Sequence, residues 1–185
     1  GKRPFPKAQP PHSSEVGLWG KPTVLNNAET WATVPKIIKN GADWYAAMGN
    51  ENAQGCKVWA IAGNIKYNGL MELDMKTTFR EAIDDFCGGI QKKKALKVVH
   101  VGGVTGGFLP PEKADTPMDY ESLLQEGVLM GQASFSAYDD SACVIDLALF
   151  SIGFNEGETC GKCTPCRIGL TLVKNKLVDI AEGRG

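Results

Sequence analysis

Histidine is scarce in this chain: His12 and His100 are the only two among 185 residues, and they lie far apart. Neither sits in a Ser-His-Asp or Cys-His pattern, so nucleophilic catalysis of that kind is not indicated, and each reads as structural. Long apolar runs are also missing. None approaches the roughly 20 residues a membrane-spanning helix requires. The basic N-terminus GKRPFPKAQPPHSS lacks the apolar segment of a secretory signal. It also lacks an initiator methionine and opens in proline-rich chain, so residue 1 is expected not to be the natural start. Neither sign of charge dominates. Twenty basic residues against 21 acidic ones leave a net charge of −1, which gives no electrostatic basis for binding nucleic acid or a membrane surface. The run Lys92-Lys93-Lys94 has only Lys97 close by and reads as a solvated helix end or loop. With 43% hydrophobic and 22% charged residues the composition is that of a globular protein, large enough for one domain or two small ones.

Periodicity divides what is present. Residues 1–25 contain Pro4, Pro6, Pro10, Pro11 and Pro22 and read as irregular or polyproline-like chain. From Asn27 to Lys39, Trp31, Val34, Ile37 and Ile38 form a helical stripe that Pro35 should kink or split, stopped by Asn40-Gly41. A short helix over 43–48 follows, in which Trp44 and Tyr45 read as packing residues. Residues 57–62 and 69–75 alternate as strands, with Asn68-Gly69 as a hairpin signal. Thr78 and Glu81 form a capping box for a helix whose apolar face is Phe79, Ile83 and Phe86. Residues 96–101 read as a buried strand. This order of elements predicts a small α+β unit with a helix folded onto a mixed sheet. Gly102-Gly103 and Gly106-Gly107 match no phosphate-binding pattern and read as tight turns. Residues 110–136 read as a connector with one short helix. Cys143, Leu147, Phe150 and Phe154 mark a helix from Ser141 to Phe154 with Asp140 as N-cap. A last helix, 165–182, is capped by Thr164 and carries Ile168, Leu172, Leu177 and Ile180 on one side.

The strongest chemical signal lies in the cysteines. Six occur, at 56, 87, 143, 160, 163 and 166. The last three form C-x2-C-x2-C, a spacing that gathers thiolates around one compact object and does not suit three separate bridges. With no secretory signal, a reducing, cytoplasmic setting is expected. The spacing matches the first three ligands of many [4Fe–4S] sites, and Pro165 would start a helix whose N–H groups favour thiolate charge. Lys162 and Arg167 would offset the negative charge of a cluster. Structural zinc and unliganded thiols remain open as alternatives. A cluster of this kind takes four ligands, and no cysteine follows Cys166. The fourth therefore lies beyond residue 185 or comes from elsewhere. Cys143 is within reach in principle, although its place on the helical stripe reads as a buried apolar thiol.

The stretch ETCGKCTPCRIG resembles the ESCGKCTPCREG motif of the FMN- and NADH-binding flavoprotein subunit of NADH-dehydrogenase complexes, found also in NAD(P)-linked and bifurcating hydrogenases. GLWGKPTVLNNAETWATVPKIIKNGADWY resembles the end of that family's flavin domain, and DTPMDYESL and the helix around Cys143 also have counterparts there. The resemblance covers nearly the whole chain. It implies that Cys160, Cys163 and Cys166 are three of four [4Fe–4S] ligands and that Thr23, Asn26 and Asn27 contact FMN. Taken alone, the two asparagines are a helix cap or turn. It further implies a ubiquitin-like β-grasp (SLBB) domain over 51–109. A flavin-domain remnant (1–50) would precede it, and a connector (110–136) and an incomplete helical cluster domain (137–185) would follow. The implied activity is NADH oxidation through FMN to the cluster, or its reverse. The implied partners are a [2Fe–2S] thioredoxin-like subunit and a larger iron–sulfur or hydrogenase subunit. The family's glycine-rich loop belongs upstream of residue 1, so the 185 residues alone are expected to be inactive. Where the family has GSGGLIVMDE this chain has GQASFSAYDD, which weakens the strand expected there. Two other classes remain open: a docking module built on the β-grasp unit, and a zinc-stabilised structural protein.

Overall fold

The computed structural model describes residues 5, 6 and 8–185. Pro4 and the other residues of the expected irregular N-terminus at positions 1–3 and 7 lie outside them. The chain forms two compact units, Gly1–Tyr45 and Ala46–Gly185.

In the first unit, extended chain with a 3-10 turn at Leu18–Gly20 leads into helix α1, Ala28–Asn40. Asn27 is its N-cap, its side chain accepting from the Glu29 N–H at 2.8 Å. α1 runs unbroken through Pro35, so the expected split does not occur. Gly41 ends it at φ 94°, a conformation that a side chain would resist. Helix α2, Ala42–Ala46, follows. Trp44 remains 43% exposed, and its ring lies 6.3 Å from that of Tyr45.

The second unit is built on five strands: β1 (Cys56–Gly63), β2 (Gly69–Asp74), β3 (Leu96–Val101), β4 (Gly107–Leu109) and β5 (Ser134–Asp139). Their order is β2-β1-β5-β3-β4. β1 pairs antiparallel with β2 and parallel with β5, while β3 pairs antiparallel with both β5 and β4. The central strand thus comes from the SFSAYD sequence that departs from the family pattern. Phe135 and Ala137 supply two buried positions at period 2, enough apolar surface to hold the centre despite the serines. A boundary at residue 109 therefore removes the middle strand of the sheet, and one at 137 cuts through it. Gly63, at φ 117°, closes the β1–β5 pair. A Cβ there would lie 2.1 Å from the Ala137 carbonyl oxygen.

Between β2 and β3 lies helix α3, Phe79–Glu81, continued as a π-helical turn over Ala82–Phe86. The Thr78–Glu81 capping box is formed in both directions. The π-turn corrects the expected apolar face. Its wider i→i+5 bond, Cys87 N–H to Ala82 O at 3.0 Å, rotates the last residues. Cys87 is therefore buried and Phe86 is left 51% exposed. Phe79 meets Trp59 and Phe135 with ring centroids 5.8 and 5.4 Å away, both near edge-on, the geometry aromatic pairs prefer. These three fully or nearly fully buried rings centre the core.

Segment 110–119 docks on α3. Arg80 Nε donates to Asp115 at 2.7 Å, and its Nη2 donates to the Pro111 carbonyl. Helix α4, Tyr120–Gln125, is capped by Asp119, whose carboxylate is fully buried and receives hydrogen bonds from Asn50 Nδ2, Ser122 N–H and Ser122 Oγ, each at 2.8 Å. The DTPMDYESL phrase thus pins the start of the unit at Asn50 to α4. Burial opposes the charge on Asp119, but these donors outweigh it and hold the carboxyl below its ordinary range.

Two helices complete the unit: α5, Val144–Glu158, and α6, Thr164–Ala181. Each is displaced from its expected start, with Cys143 as the N-cap of α5 in place of Asp140, and Cys163 as that of α6 in place of Thr164. Their expected stripes are only partly covered. Phe150, Phe154, Ile168, Leu172 and Ile180 are each at least half exposed. α5 is held to the turn between β3 and β4 by Asn155 Nδ2, which donates to the Val104 carbonyl at 2.7 Å. No helix of the described residues is long and apolar enough to cross a membrane.

Candidate iron–sulfur site

The cysteine motif occupies the turn between α5 and α6. Gly161 adopts φ 75°, a left-handed conformation that lets the chain reverse within five residues. Cys163 is the residue before α6, and Cys166 lies in its first turn behind Pro165, which needs no N–H partner there. All three thiols, Cys160, Cys163 and Cys166, are exposed. The N–H groups at the start of α6 face the same end of the helix and favour negative charge there.

Arg167 braces the turn from within α6. Its Nη1 donates to the Gly161 carbonyl at 2.6 Å and to that of Lys162 at 3.4 Å, and its Nη2 donates to Thr164 Oγ1 at 3.3 Å. This guanidinium therefore serves the loop backbone as well as placing positive charge beside the cysteines. From the α5 side, Thr159 Oγ1 lies 2.9 Å from Cys166 Sγ and accepts from the Gly161 N–H at 3.2 Å. Thr159 and Arg167 are contacts that the C-x2-C-x2-C spacing alone does not reveal. Farther along the two helices, Glu156 accepts from Lys174 Nζ at 2.6 Å and Thr171 Oγ1 at 2.7 Å. These two donors, Lys174 first, hold the Glu156 carboxyl below its ordinary range. A cavity of about 270 Å³ opens beside Cys166, lined also by Thr105, Asn155, Glu158, Thr159 and Leu170.

The donor chemistry suits an iron–sulfur group: three soft sulfurs on seven residues, at a helix start, beside Lys162 and Arg167. The thiols are presented separately. Among the described residues, no group of three Cys, His, Asp or Glu side chains is arranged to hold a metal ion. Cys143 does not complete the set. It is exposed, contrary to the buried thiol expected, because it sits at the N-cap of α5 and not on its packed face. The 15 residues of α5 separate it from the motif. At about 1.5 Å per residue, roughly 22 Å of helix stands between them.

The three residues matched to FMN contact lie in the other unit. Thr23 Oγ1 accepts from the Leu18 N–H at 2.9 Å and donates to the Lys21 carbonyl at 3.0 Å. Asn27 uses its side-chain carbonyl oxygen to cap α1, a role that leaves its amide NH2 as a donor. Asn26 is exposed. This arrangement can offer amide donors and acceptors to a ligand while Thr23 holds the turn.

His100 is a structural residue of the sheet, stacked on Phe108 at 4.3 Å. Burial lowers its pKa, partly opposed by a hydrogen bond to the Gly103 backbone. Gly102 and Gly103, both at positive φ, make the tight turn that leads to β4.

The family described as the NADH-ubiquinone oxidoreductase-F iron-sulfur binding region matches residues 146–185. The chain is 43% identical over its full length to HndC of the NADP-reducing hydrogenase of Solidesulfovibrio fructosivorans, covering 38% of that protein. It is 38% identical, again over its full length, to the F 2 subunit of the NADH-quinone oxidoreductase of Rhizobium meliloti, covering 44% of it. A solved NAD+-reducing [NiFe]-hydrogenase superposes with a TM-score of 0.79 at 28% identity, over 97% of this chain and 30% of the other. The chain thus spans about two fifths of the length of these curated relatives. Over that span it is similar to part of the F-type subunits of NADH-quinone oxidoreductases and of their hydrogenase counterparts, and its residues 146–185 match the iron–sulfur binding region described for them.

Proposed function

We propose that this chain is part of an NADH:acceptor oxidoreductase subunit in which Cys160, Cys163 and Cys166 hold three corners of a [4Fe–4S] cluster. The observation that carries this reading is the exposed three-cysteine turn at the start of α6, inside the segment matched by the iron–sulfur binding region. When bound, such a cluster supplies one-electron transfer. The chain's own residues shape and charge its seat. Arg167 fixes the loop carbonyls, the α6 N-terminus stabilises thiolate charge, and Lys162 and Arg167 reduce the net negative charge.

The same proposal assigns Asn26, Asn27 and Thr23 to the edge of an FMN site that takes hydride from NADH. Asn26 and Asn27 would supply amide groups, and Thr23 would position them through its turn. We also assign the sheet unit to the β-grasp (SLBB) class. The order β2-β1-β5-β3-β4, a parallel central pair and one helix packed on the sheet support that assignment. A [2Fe–2S] thioredoxin-like subunit and a larger iron–sulfur or hydrogenase subunit are the proposed partners, in the cytoplasm. Because the chain spans about two fifths of its relatives, residues 1–185 alone are not expected to oxidise NADH. The test is anaerobic addition of NADH to the full gene product, followed by EPR. Reduction of a [4Fe–4S] signal in the wild type, lost in Cys163→Ser, supports the reading. A cluster that NADH does not reduce would contradict the electron path.

A further inference from the structure

Thr159 closes α5 and immediately precedes the first cysteine of the motif. Its backbone is fixed, since its N–H donates to the Asn155 carbonyl at 3.0 Å. Its side chain is fixed as well, with Oγ1 accepting from the Gly161 N–H at 3.2 Å. That geometry sets the hydroxyl 2.9 Å from Cys166 Sγ. A hydroxyl carries one proton, and a metal-bound cysteine carries none. Once Cys166 is a cluster ligand, the contact can therefore only be O–H···S, with threonine as donor.

We propose that Thr159 is a positioning residue that raises the reduction potential of the cluster by donating this hydrogen bond to Cys166. The inference rests on the cluster reading above. Its physical basis is charge: each reduction adds one negative charge to the cluster and its thiolates, and a donor aimed at a ligand sulfur stabilises that form more than the oxidised one. Arg167 and Lys162 supply a diffuse positive field along the loop, whereas Thr159 acts on one sulfur through one bond. The alternative is that the hydroxyl only shapes the turn, through the Gly161 N–H. Serine would satisfy both roles. Valine, with threonine's shape and no hydroxyl, removes both.

The experiment compares the full gene product as wild type, Thr159→Ser, Thr159→Val and Thr159→Ala. Each is purified anaerobically and titrated by EPR-monitored redox potentiometry. The expected result is a midpoint potential more negative in the valine and alanine variants than in the wild type, restored in the serine variant, with iron and sulfide content unchanged. Equal potentials in all four would overturn the proposal while leaving the cluster reading intact. Loss of the cluster from both valine and alanine variants, with the fold retained by circular dichroism, would also overturn it, because the hydroxyl would then be needed to hold the cluster and not to set its potential. Zinc in place of iron and sulfide in the wild type would instead overturn the cluster reading itself.

Discussion

Cys143 and Cys160 stand beyond opposite ends of the same helix, the first at the N-cap of α5 and the second two residues past its last turn. The helix between them is unbroken. Cys143 is therefore a free exposed thiol, set apart by α5 from the turn that carries Cys160, Cys163 and Cys166. Brief anaerobic alkylation of the iron-loaded protein, read by mass spectrometry, should modify Cys143 readily and leave the three motif cysteines protected. Cys87 should resist as well, since it is buried and burial pushes its thiol pKa up. After removal of iron with a chelator, the motif cysteines should label and Cys87 should not. Protection of Cys143 together with the motif would contradict the separation.

The central position of β5 makes a second prediction. Residues 51–109 contain four of the five strands and the helix packed on them, but lack the strand that joins β1 to β3. Excised alone, this segment should be largely unfolded. A segment from residue 46 to 142 should fold, because it restores the pairing on both sides of β5 and the ring contact between Phe79 and Phe135. Circular dichroism and urea titration of the two segments would decide. A cooperative transition in the shorter one would show that the sheet does not depend on its middle strand.

The Asp119 carboxylate is a structural hub in that unit, so Asp119→Ala should destabilise it by about 2–4 kcal/mol. The loss combines a helix cap worth about 1 kcal/mol with the cost of leaving the Asn50 amide without its partner, about 1–3 kcal/mol. Urea unfolding at neutral pH measures this directly. Asn50→Ala should remove part of the same interaction, and the double variant should lose less than the sum of the two single ones. Full additivity would mean the two side chains act independently.

Acid sensitivity of the α5–α6 pair should trace to Glu156. Its folded pKa is depressed by Lys174 and then Thr171, so the unfolded chain takes up a proton first as the pH falls. The stabilisation is complete above the ordinary glutamate pKa of about 4.3 and is lost as pH drops through the lower folded value. Glu156→Gln should therefore lower stability modestly at pH 7, since the pair is partly exposed, and flatten the acid limb of a stability–pH curve by the same amount. An unchanged acid limb in Glu156→Gln would rule this group out as its source.

Most of the sheet unit is legible in the residues, because alternation and capping are local signals. The bounds of β3, the Thr78–Glu81 box and the turn at Gly102-Gly103 follow from side chains within a few positions of one another. β5 is not legible. Its serines and its departure from the family pattern hide a strand whose place is fixed by partners 34 to 74 residues earlier in sequence. The exposure of Phe86 escapes sequence reading because a π-turn changes the helical period, and no local residue signals that change. At the candidate site, the three cysteines and their spacing are plain. The exposure of Cys143 is not, since a residue at a helix N-cap still falls on the stripe of the helix it precedes. The contacts of Thr159 and Arg167 with the loop depend on how α5 and α6 meet, which spacing does not encode.

Metal and sulfide analysis of the full gene product, purified without oxygen, decides whether Cys160, Cys163 and Cys166 are iron–sulfur ligands. Samples are the wild type, Cys143→Ser, and Cys160→Ser, Cys163→Ser and Cys166→Ser separately. Iron and acid-labile sulfide in equal amounts, with a reduced [4Fe–4S] EPR signal, are expected in the wild type and in Cys143→Ser. Loss or conversion of that signal is expected in each of the other three. Stoichiometric zinc without labile sulfide in the wild type, or an unchanged cluster signal in all three motif variants, would contradict it.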